Sequence, residues 1–553
     1  MVRWVICSAW PYINYIPHLG TIIGSVLSAD VVARFLRLKG DEVVFVSGSD
    51  EHGTPIELEA IRRGINPKQL TDENHKLIKK LFLEDWQLSF DNYTRTESPI
   101  HKKFVQEFFL KVYKNGYIFD KEEEFPYCPK CQHFLPDRFI QGLCPRCQYE
   151  YAKGDQCENC GWPLEPSKLI NPVCAICGEK PVLKKTKHWY FNLPEFSEKI
   201  KSYIENNDRL PSNAKNFSLN LIREGLKPRP LTRDNKWGIP APFPGAEDKT
   251  IYVWMEAVLG YISATIEYFD NLGKTEVWKD FWFNPQARSV YFIGKDNIPF
   301  HTIILPALLL ASEEGYNLPW TVESTEFLLF KGQKFSKSRR IGVWIDEAVK
   351  VCPTDYWRYT LVAIRPEIRD TSFTWDVFLE KVNSELNDTF GNMVHRVLTF
   401  IFKYFNGAVP EPSDFDEDDL QVLNMIEKTY LDVEKFLENF RLQAIVSSIM
   451  GLTRLANKYI NEKEPWKTIK TDVRKAATTG YVSIQVVKAL TILLYPIIPQ
   501  TCIKILSMLN LKVEDLSWKR IFEKISVNHR ISEPKPVFKK LTLEVIERTL
   551  GLA

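Results

Sequence analysis

Eight of the eleven cysteines fall between residues 128 and 177, as four Cys-x-x-Cys pairs: "CPKC" (128–131), "CPRC" (144–147), "CENC" (157–160) and "CAIC" (174–177). Thiolates at this spacing suit tetrahedral zinc, so two closed structural sites are expected. A redox role for one pair is the alternative, but the pairs sit among turn residues rather than in a thioredoxin-like βαβ setting. Three more places carry chemistry. His18, Leu19 and Gly20 open a helix just after an apolar run, where free backbone N–H groups and a positive dipole end suit phosphate. Asp50, in "SGSDEHG", ends a second apolar run, where its carboxylate could hold an ammonium group. Lys334 and Lys337, in "KGQKFSKSRR" (331–340), could close over a polyphosphate. Each also has a plainer reading: a helix start with an incidental histidine, a turn-capping aspartate and a solvated basic loop.

The elements that must position these residues are legible. "VRWVIC" (2–7) has the length and composition of a buried strand, and from His18 to Lys39 apolar residues recur at helical steps until Gly40. "EVVFVSGSDEHG" (42–53) is a second strand, which makes a βαβ unit with a right-handed crossover. "SVYFIG" (289–294) and "STEFLLFKG" (324–332) read as later strands of the same sheet. The expected class is α/β: a doubly wound parallel, Rossmann-type domain interrupted by the cysteine-rich insertion, then an α-helical bundle. Amphipathic helices are expected over 378–405, 419–440, 441–462 and 479–497, with the acidic "PEPSDFDEDDL" (410–420) a solvated linker ending in an N-cap.

Length and charge exclude little. At 553 residues the chain needs several cores. A net charge of +2 leaves any nucleic-acid surface local. The N-terminus lacks a signal-peptide pattern, and the longest apolar run, 489–499, is short of a membrane span and broken by proline. A soluble cytoplasmic protein with no membrane partner is expected. Cys7, Cys352 and Cys502 read as core residues.

"PHLG" early in the chain with "KFSKS" some three hundred residues later resembles the paired signatures of class I aminoacyl-tRNA synthetases. Within that class, "WPYINYIPHLG", "GSDEHGTP", "YVWMEAVLGY" (252–261) and "FIGKDNIPFH" (292–301) resemble blocks of the methionyl-tRNA synthetase family, in its archaeal and eukaryotic branch. The likeness extends over nearly the whole chain. It implies activation of methionine by ATP, accompanied by magnesium, to methionyl-adenylate and pyrophosphate, then transfer to tRNA(Met). It implies catalytic roles for His18, Lys334 and Lys337, and an ATP site including Gly20, Thr21, Gly294 and Asp296. Asp50 would meet the methionine ammonium, and Tyr12, Trp254, Ala257, Tyr261 and His301, with Trp10 nearby, would form the side-chain pocket. Thr21 departs from the signature, which often has a second histidine there.

The same resemblance implies an inner zinc knuckle of Cys144, Cys147, Cys157 and Cys160, leaving Cys128, Cys131, Cys174 and Cys177 as an outer site. The insertion is too small for the editing domain of the isoleucine, valine and leucine enzymes. "ANKYINEKEPWK" (456–467) resembles an anticodon-reading block, which makes Trp466 a stacking candidate opposite Asn387, Asn392 and Arg396. A buried packing tryptophan is the alternative. From residue 501 onward ten Lys and Arg stand against six Asp and Glu, a local excess that would contact phosphates or be solvated surface. The implied domains are residues 1–115 and 236–325 (two halves of the catalytic domain), 116–235 (insertion), 326–377 (KFSKS loop and stem-contact region) and 378–553 (anticodon-binding). A monomer is expected, since no appended dimerisation domain is visible. The rival readings are another class I synthetase, such as the cysteine enzyme, and a zinc-containing tRNA-binding protein without catalysis.

Overall fold

The computed structural model describes residues 1–154, 157, 159–160, 162, 164–336 and 340–551. Strand β1 (Arg3–Ser8) leads through a loop into helix α1 (Leu19–Lys39), which Gly40 ends at a φ of +87°. Strands β2 (Glu42–Ser49) and β3 (Asn92–Arg95) follow. The chain then leaves the sheet in a long antiparallel ribbon, β4 (Ile118–Cys128) against β5 (Val182–Phe191), which carries the cysteine-rich insertion at its far end. It returns through helices α2 (Val253–Ala257) and α3 (Gly260–Asn271) to strands β6 (Arg288–Gly294) and β7 (Thr321–Thr325).

The main sheet has the order β7–β6–β1–β2–β3 and is parallel throughout. Its strands are buried on both faces. On β1, Trp4 and Ile6 join the core that contains α1, while Val5 and Cys7 join the core that contains α3. Residues pointing alternately into two cores explain why these strands read as near-continuous apolar runs. The order reverses between β1 and β6, so the crevice beyond their carboxyl ends is the topological switch point where ligands of such sheets bind.

One expectation from the sequence is corrected. Residues 324–332 are not one strand: β7 ends at Thr325, and β8 (Leu328–Phe330) pairs instead with β9 (Thr371–Phe373) in a separate two-stranded sheet. The break falls at Glu326, whose N–H goes to the Pro366 carbonyl and whose carboxylate takes Lys295 at 2.6 Å. Strand β3 had no clear signal, because four residues at a sheet edge are too few for an alternation to register.

After β9 the described chain is helical. Helix α4 (Thr354–Ala363) lies between the strands of the small sheet, and the bundle comprises α5 (Asn392–Tyr404, continuing a π-helical stretch Glu380–Gly391), α6 (Glu417–Leu437), α7 (Leu442–Lys463), α8 (Val473–Leu494) and α9 (Pro499–Met508). Asp416 caps α6 as the linker reading expects. Helix α8 starts six residues earlier than expected because Asp472 caps it at Lys475 N–H. Helices α1 and α8 are long and apolar enough to cross a membrane, and both are core helices here.

Buried Arg358 of α4 ties these parts together. It donates to Asp30 on α1 at 2.7 Å, to the Trp86 carbonyl, and to the Pro496 and Ile497 carbonyls just after α8. Its guanidinium thus meets one carboxylate and three carbonyl acceptors, the kind of pairing that lets a buried charge be tolerated. One side chain therefore fixes the helix that begins at His18 relative to the bundle.

Candidate active site

Beyond β1 the chain reaches His18, the N-cap of α1, whose Nδ1 accepts the Thr21 backbone N–H at 3.3 Å. Burial pushes the imidazole down to about 4, so it is neutral at pH 7. A neutral ring with Nδ1 accepting carries its proton on Nε2, which makes His18 a hydrogen-bond donor rather than a cation. Gly20 is needed for this arrangement: a Cβ there would stand 3.0 Å from the His18 ring. The next turn, Ile22–Val26, is π-helical, and the Gly24 carbonyl accepts from Thr325 Oγ1 of β7 instead of staying wholly within the helix.

Phe335 and Ser336, with the chain from Ile341 to Ile345, fold over this helix start. Phe335 stacks on the His18 ring at 4.5 Å and 9°. Ser336 and Ile341 exchange backbone hydrogen bonds, and Leu19 N–H and Ile345 N–H bond the Val343 and Pro17 carbonyls. Gly342, at φ +138°, leaves room for Phe335 where any Cβ would collide with the ring at 2.3 Å. Lys334 is exposed, with its ammonium 5.2 Å from the Phe327 ring centroid. Lys337 lies outside the described residues.

Asp50 follows β2, the neighbouring strand, and bridges backbone to backbone with Tyr12. Its carboxyl is 1% exposed and Oδ1 has no hydrogen-bond partner among the described residues. Burial, with Glu256 nearby, holds this carboxyl well above the usual carboxylate range. A buried carboxyl oxygen without a partner is costly, and an incoming ammonium group would satisfy it.

Around Asp50 lies a shell of rings. Tyr12 meets Trp254 edge to face at 5.4 Å, and Trp254 stacks on Phe300 at 4.8 Å. Trp10 meets Tyr261 edge to face at 6.4 Å. Its indole is held between two glycines, since a Cβ on either Gly48 or Gly260 would come within 2.7 Å of it. Ala257 is buried on α2, the helix that carries Trp254. His301, in the π-helical turn Phe300–Ile304, donates Nδ1–H to the Asn297 carbonyl at 3.0 Å and accepts the Tyr261 hydroxyl on Nε2 at 2.8 Å. Burial lowers His301 to about 4. Tyr261 and His301 thus spend their hydrogens on each other and on the backbone, so the pocket presents polarizable ring surface more than free donors, a wall suited to a thioether.

Gly294 ends β6 beside β1, and Asp296 follows it. A Cβ at Gly294 would lie 2.7 Å from Asp296 Oδ1, so glycine allows that carboxyl to fold back toward the strand end. His18, Gly20, Asp50, Gly294 and Asp296 therefore all stand at carboxyl ends of adjacent strands around the switch point.

Sequence reasoning missed what lies beneath Asp50. His52 is fully buried between Glu256, 2.7 Å from Nδ1, and Glu97, 2.7 Å from Nε2. Burial alone would depress its pKa, but Glu256 and Glu97 carry it up to about 10. This cation ties the Asp50 loop to α2. The "DEH" tripeptide offered a hint, but Glu256 is 204 residues away and no local pattern connects them.

In the insertion the four pairs form two groups, Cys128/Cys131/Cys174/Cys177 and Cys144/Cys147/Cys157/Cys160, each with sulfurs within 4.8 Å of one another. The closest cross-pair distances are 3.5 Å for Cys128–Cys177 and for Cys147–Cys157. That is far beyond a disulfide and near the ~3.8 Å tetrahedral edge implied by metal–sulfur bonds of about 2.3 Å. Both groups fit a four-coordinate soft metal ion.

In the bundle, Arg396 of α5 lies over the Trp466 ring at 4.7 Å and donates to Asn461 at 2.8 Å. Trp466 follows α7 and is half-buried in a shallow groove with Arg396. Asn387 bonds Asp388 and does not line that groove, while Asn392 is exposed.

Comparison with known proteins agrees with this construction. Residues 4–398 match the family described as tRNA synthetases class I (M), and residues 409–549 match the anticodon binding domain of methionyl tRNA ligase. The chain is 57% identical over 547 residues to the methionine–tRNA ligase of Thermofilum pendens, covering 99% of this chain and 96% of that protein. It is 54% identical to that of Metallosphaera sedula, covering 97% and 94%. The solved Mycobacterium tuberculosis methionyl-tRNA synthetase bound by methionyl-adenylate shares the fold, with a TM-score of 0.82, 22% identity and coverage of 98% and 100%. With its catalytic and anticodon-domain matches in the order the fold displays, the chain belongs to the methionyl family of class I tRNA synthetases, the methionine–tRNA ligases.

Proposed function

We propose that the protein joins methionine to tRNA(Met) in two steps, and that the observation carrying this reading is the unpartnered Asp50 Oδ1 beneath a ring-lined pocket, one strand away from the His18 helix start. Methionine enters with its ammonium on Asp50 and its thioether among Tyr12, Trp254, Ala257, Tyr261 and His301, beside Trp10. ATP, as its magnesium complex, lies across the switch point with its ribose toward Asp296 and its base side toward Gly294. The methionine carboxylate forms a bond to the α-phosphorus, the bond to the bridging oxygen breaks, and pyrophosphate leaves. His18 Nε2–H and the Gly20 backbone N–H donate to the charge developing on the phosphate oxygens. Lys334 and Lys337 add positive charge as their loop closes. A hydroxyl of the terminal tRNA ribose then attacks the adenylate carbonyl and AMP leaves.

The two four-cysteine groups would hold zinc, whose closed coordination supplies folding energy to the insertion rather than a catalytic position. Trp466 and Arg396 offer a stacking face and a cation for a splayed anticodon base, with Asn387 farther along the same helical stretch. The test is charging of a tRNA bearing a CAU anticodon. Trp466→Ala should raise KM for tRNA at least tenfold while methionine-dependent ATP–pyrophosphate exchange is unchanged. Normal charging by Trp466→Ala would contradict the anticodon assignment, and absence of charging by the unaltered protein would contradict the function.

A further inference from the structure

Outside the active site the described residues line a polar cavity of about 160 Å³, between α8, α9 and the segment that crosses over them. It is small beside the several hundred Å³ typical of organic-ligand pockets, so its natural occupant is a small group. Lys488, Lys512, Arg520 and Lys524 line it, with His529 beside them and Glu523 as the one acid. Ile492 and Leu506 form an apolar floor.

The informative residue is Lys488. It projects from α8, is only 7% exposed, and among the described residues has no carboxylate within ion-pair distance; its ammonium donates to the Glu523 carbonyl oxygen. Lys249 makes the contrast: equally buried at 7%, it sits on both Asp234 and Asp248. Buried charges are paired in folded proteins, and leaving one unpaired is destabilising. The roof over Lys488 is fixed independently, because Gln485, one turn earlier, exchanges two hydrogen bonds with the Ile525 backbone at 3.1 and 2.7 Å. The cavity is thus a built space in which Lys488, Arg520 and Lys524 share a single lining carboxylate, Glu523, which lies 3.7 Å from Arg520 Nε.

The geometry points to a binding site for a phosphate group in this cavity, with Lys488 at its base and Arg520 and Lys524 at its rim. The phosphate has two sources of the same chemistry: a free small phosphate, or a backbone phosphate of the tRNA.

Equilibrium dialysis with labelled orthophosphate tests this, on the full chain with the active site saturated by a non-hydrolysable methionyl-adenylate analogue. One phosphate per chain is expected, with Lys488→Met and Arg520→Gln each weakening it at least roughly tenfold. Methionine-dependent ATP–pyrophosphate exchange should be unchanged in both variants, which also shows that they fold. If orthophosphate fails to bind but Lys488→Met lowers the slope of log K against log salt for tRNA by about 0.7–0.9, one contact's worth, the site is sustained with tRNA as its source. If Lys488→Met alters neither orthophosphate nor tRNA binding, the proposal is overturned.

Discussion

Asp50→Asn separates binding of the amino group from everything else the site does. The side chain keeps its shape but loses its charge, and it sits 1% exposed with Oδ1 unpartnered. In the free protein, burial raises this carboxyl's pKa, so Asn replaces a group that is costly to ionise and folding stability should barely change. With methionine bound the balance reverses, because the ammonium meets no counter-charge in a dry pocket. Removing one partner of a buried charge pair costs about 2–5 kcal/mol, and Asn retains an acceptor, so the lower half of that range applies. At about 1.4 kcal/mol per decade this is roughly a 30- to 300-fold rise in the methionine KM. The assay is methionine-dependent ATP–pyrophosphate exchange with methionine varied at saturating ATP. Calorimetry in two buffers of different ionisation enthalpy adds a second readout: the unaltered protein should release protons on binding methionine as Asp50 ionises, and the variant should not. A KM change below about threefold, or equal proton release in both proteins, would refute the reasoning.

Three further outcomes follow from the geometry. His18→Ala should lower kcat about 10²–10³-fold by removing one donor to the phosphate, whereas Thr21→Ala, which keeps the backbone N–H on His18 Nδ1, should cost less than about threefold; similar losses in exchange kinetics would mean the phosphate contacts are misassigned. Burial holds His18, His75 and His301 at about 4 and His101 at about 3, so the unfolded chain binds more protons than the folded one below the ordinary histidine pKa. Stability from these four groups is complete above about pH 6.5 and is lost as pH falls toward 4, while burial of Glu51, Glu57 and Glu323, each raised to about 7, acts in the opposite sense. An NMR titration of the ring protons should therefore find these four histidines still largely neutral at pH 5, and a ring among them titrating near about 6.5 would contradict this. Elemental analysis should find two zinc ions per chain, and Cys144→Ser should lose one of them; about one or none in the unaltered protein would sink the two-site assignment.

The parts legible in the sequence are those with a local signature. The cysteine pairs, the His18 helix start and Asp50 announced themselves because a tripeptide or a fixed spacing carries their chemistry. Grouping of the cysteines into inner and outer sets came from the family resemblance, and the folded insertion brings together the same two sets. What stayed hidden depends on residues far apart in the chain. Trp10 fits only because Gly48 and Gly260 both lack a Cβ, and neither glycine sits in a turn that would flag it. His52 is charged because Glu97 and Glu256 reach it from two other elements. Tyr261 and His301 were expected to line the side-chain pocket, yet their mutual hydrogen bond is visible only in three dimensions. Residues 324–332 misled because two short strands of different sheets, joined without a turn residue, make one apolar run.

The central claim is that the pocket between Asp50 and His301 selects methionine for activation by ATP. ATP–pyrophosphate exchange measured across the full panel of amino acids tests it most directly. Exchange should be fastest with methionine and, for every other standard amino acid, weaker by at least about two orders of magnitude in kcat/KM. Faster exchange with cysteine, leucine or any other member of the panel, or no exchange with methionine, would contradict the account.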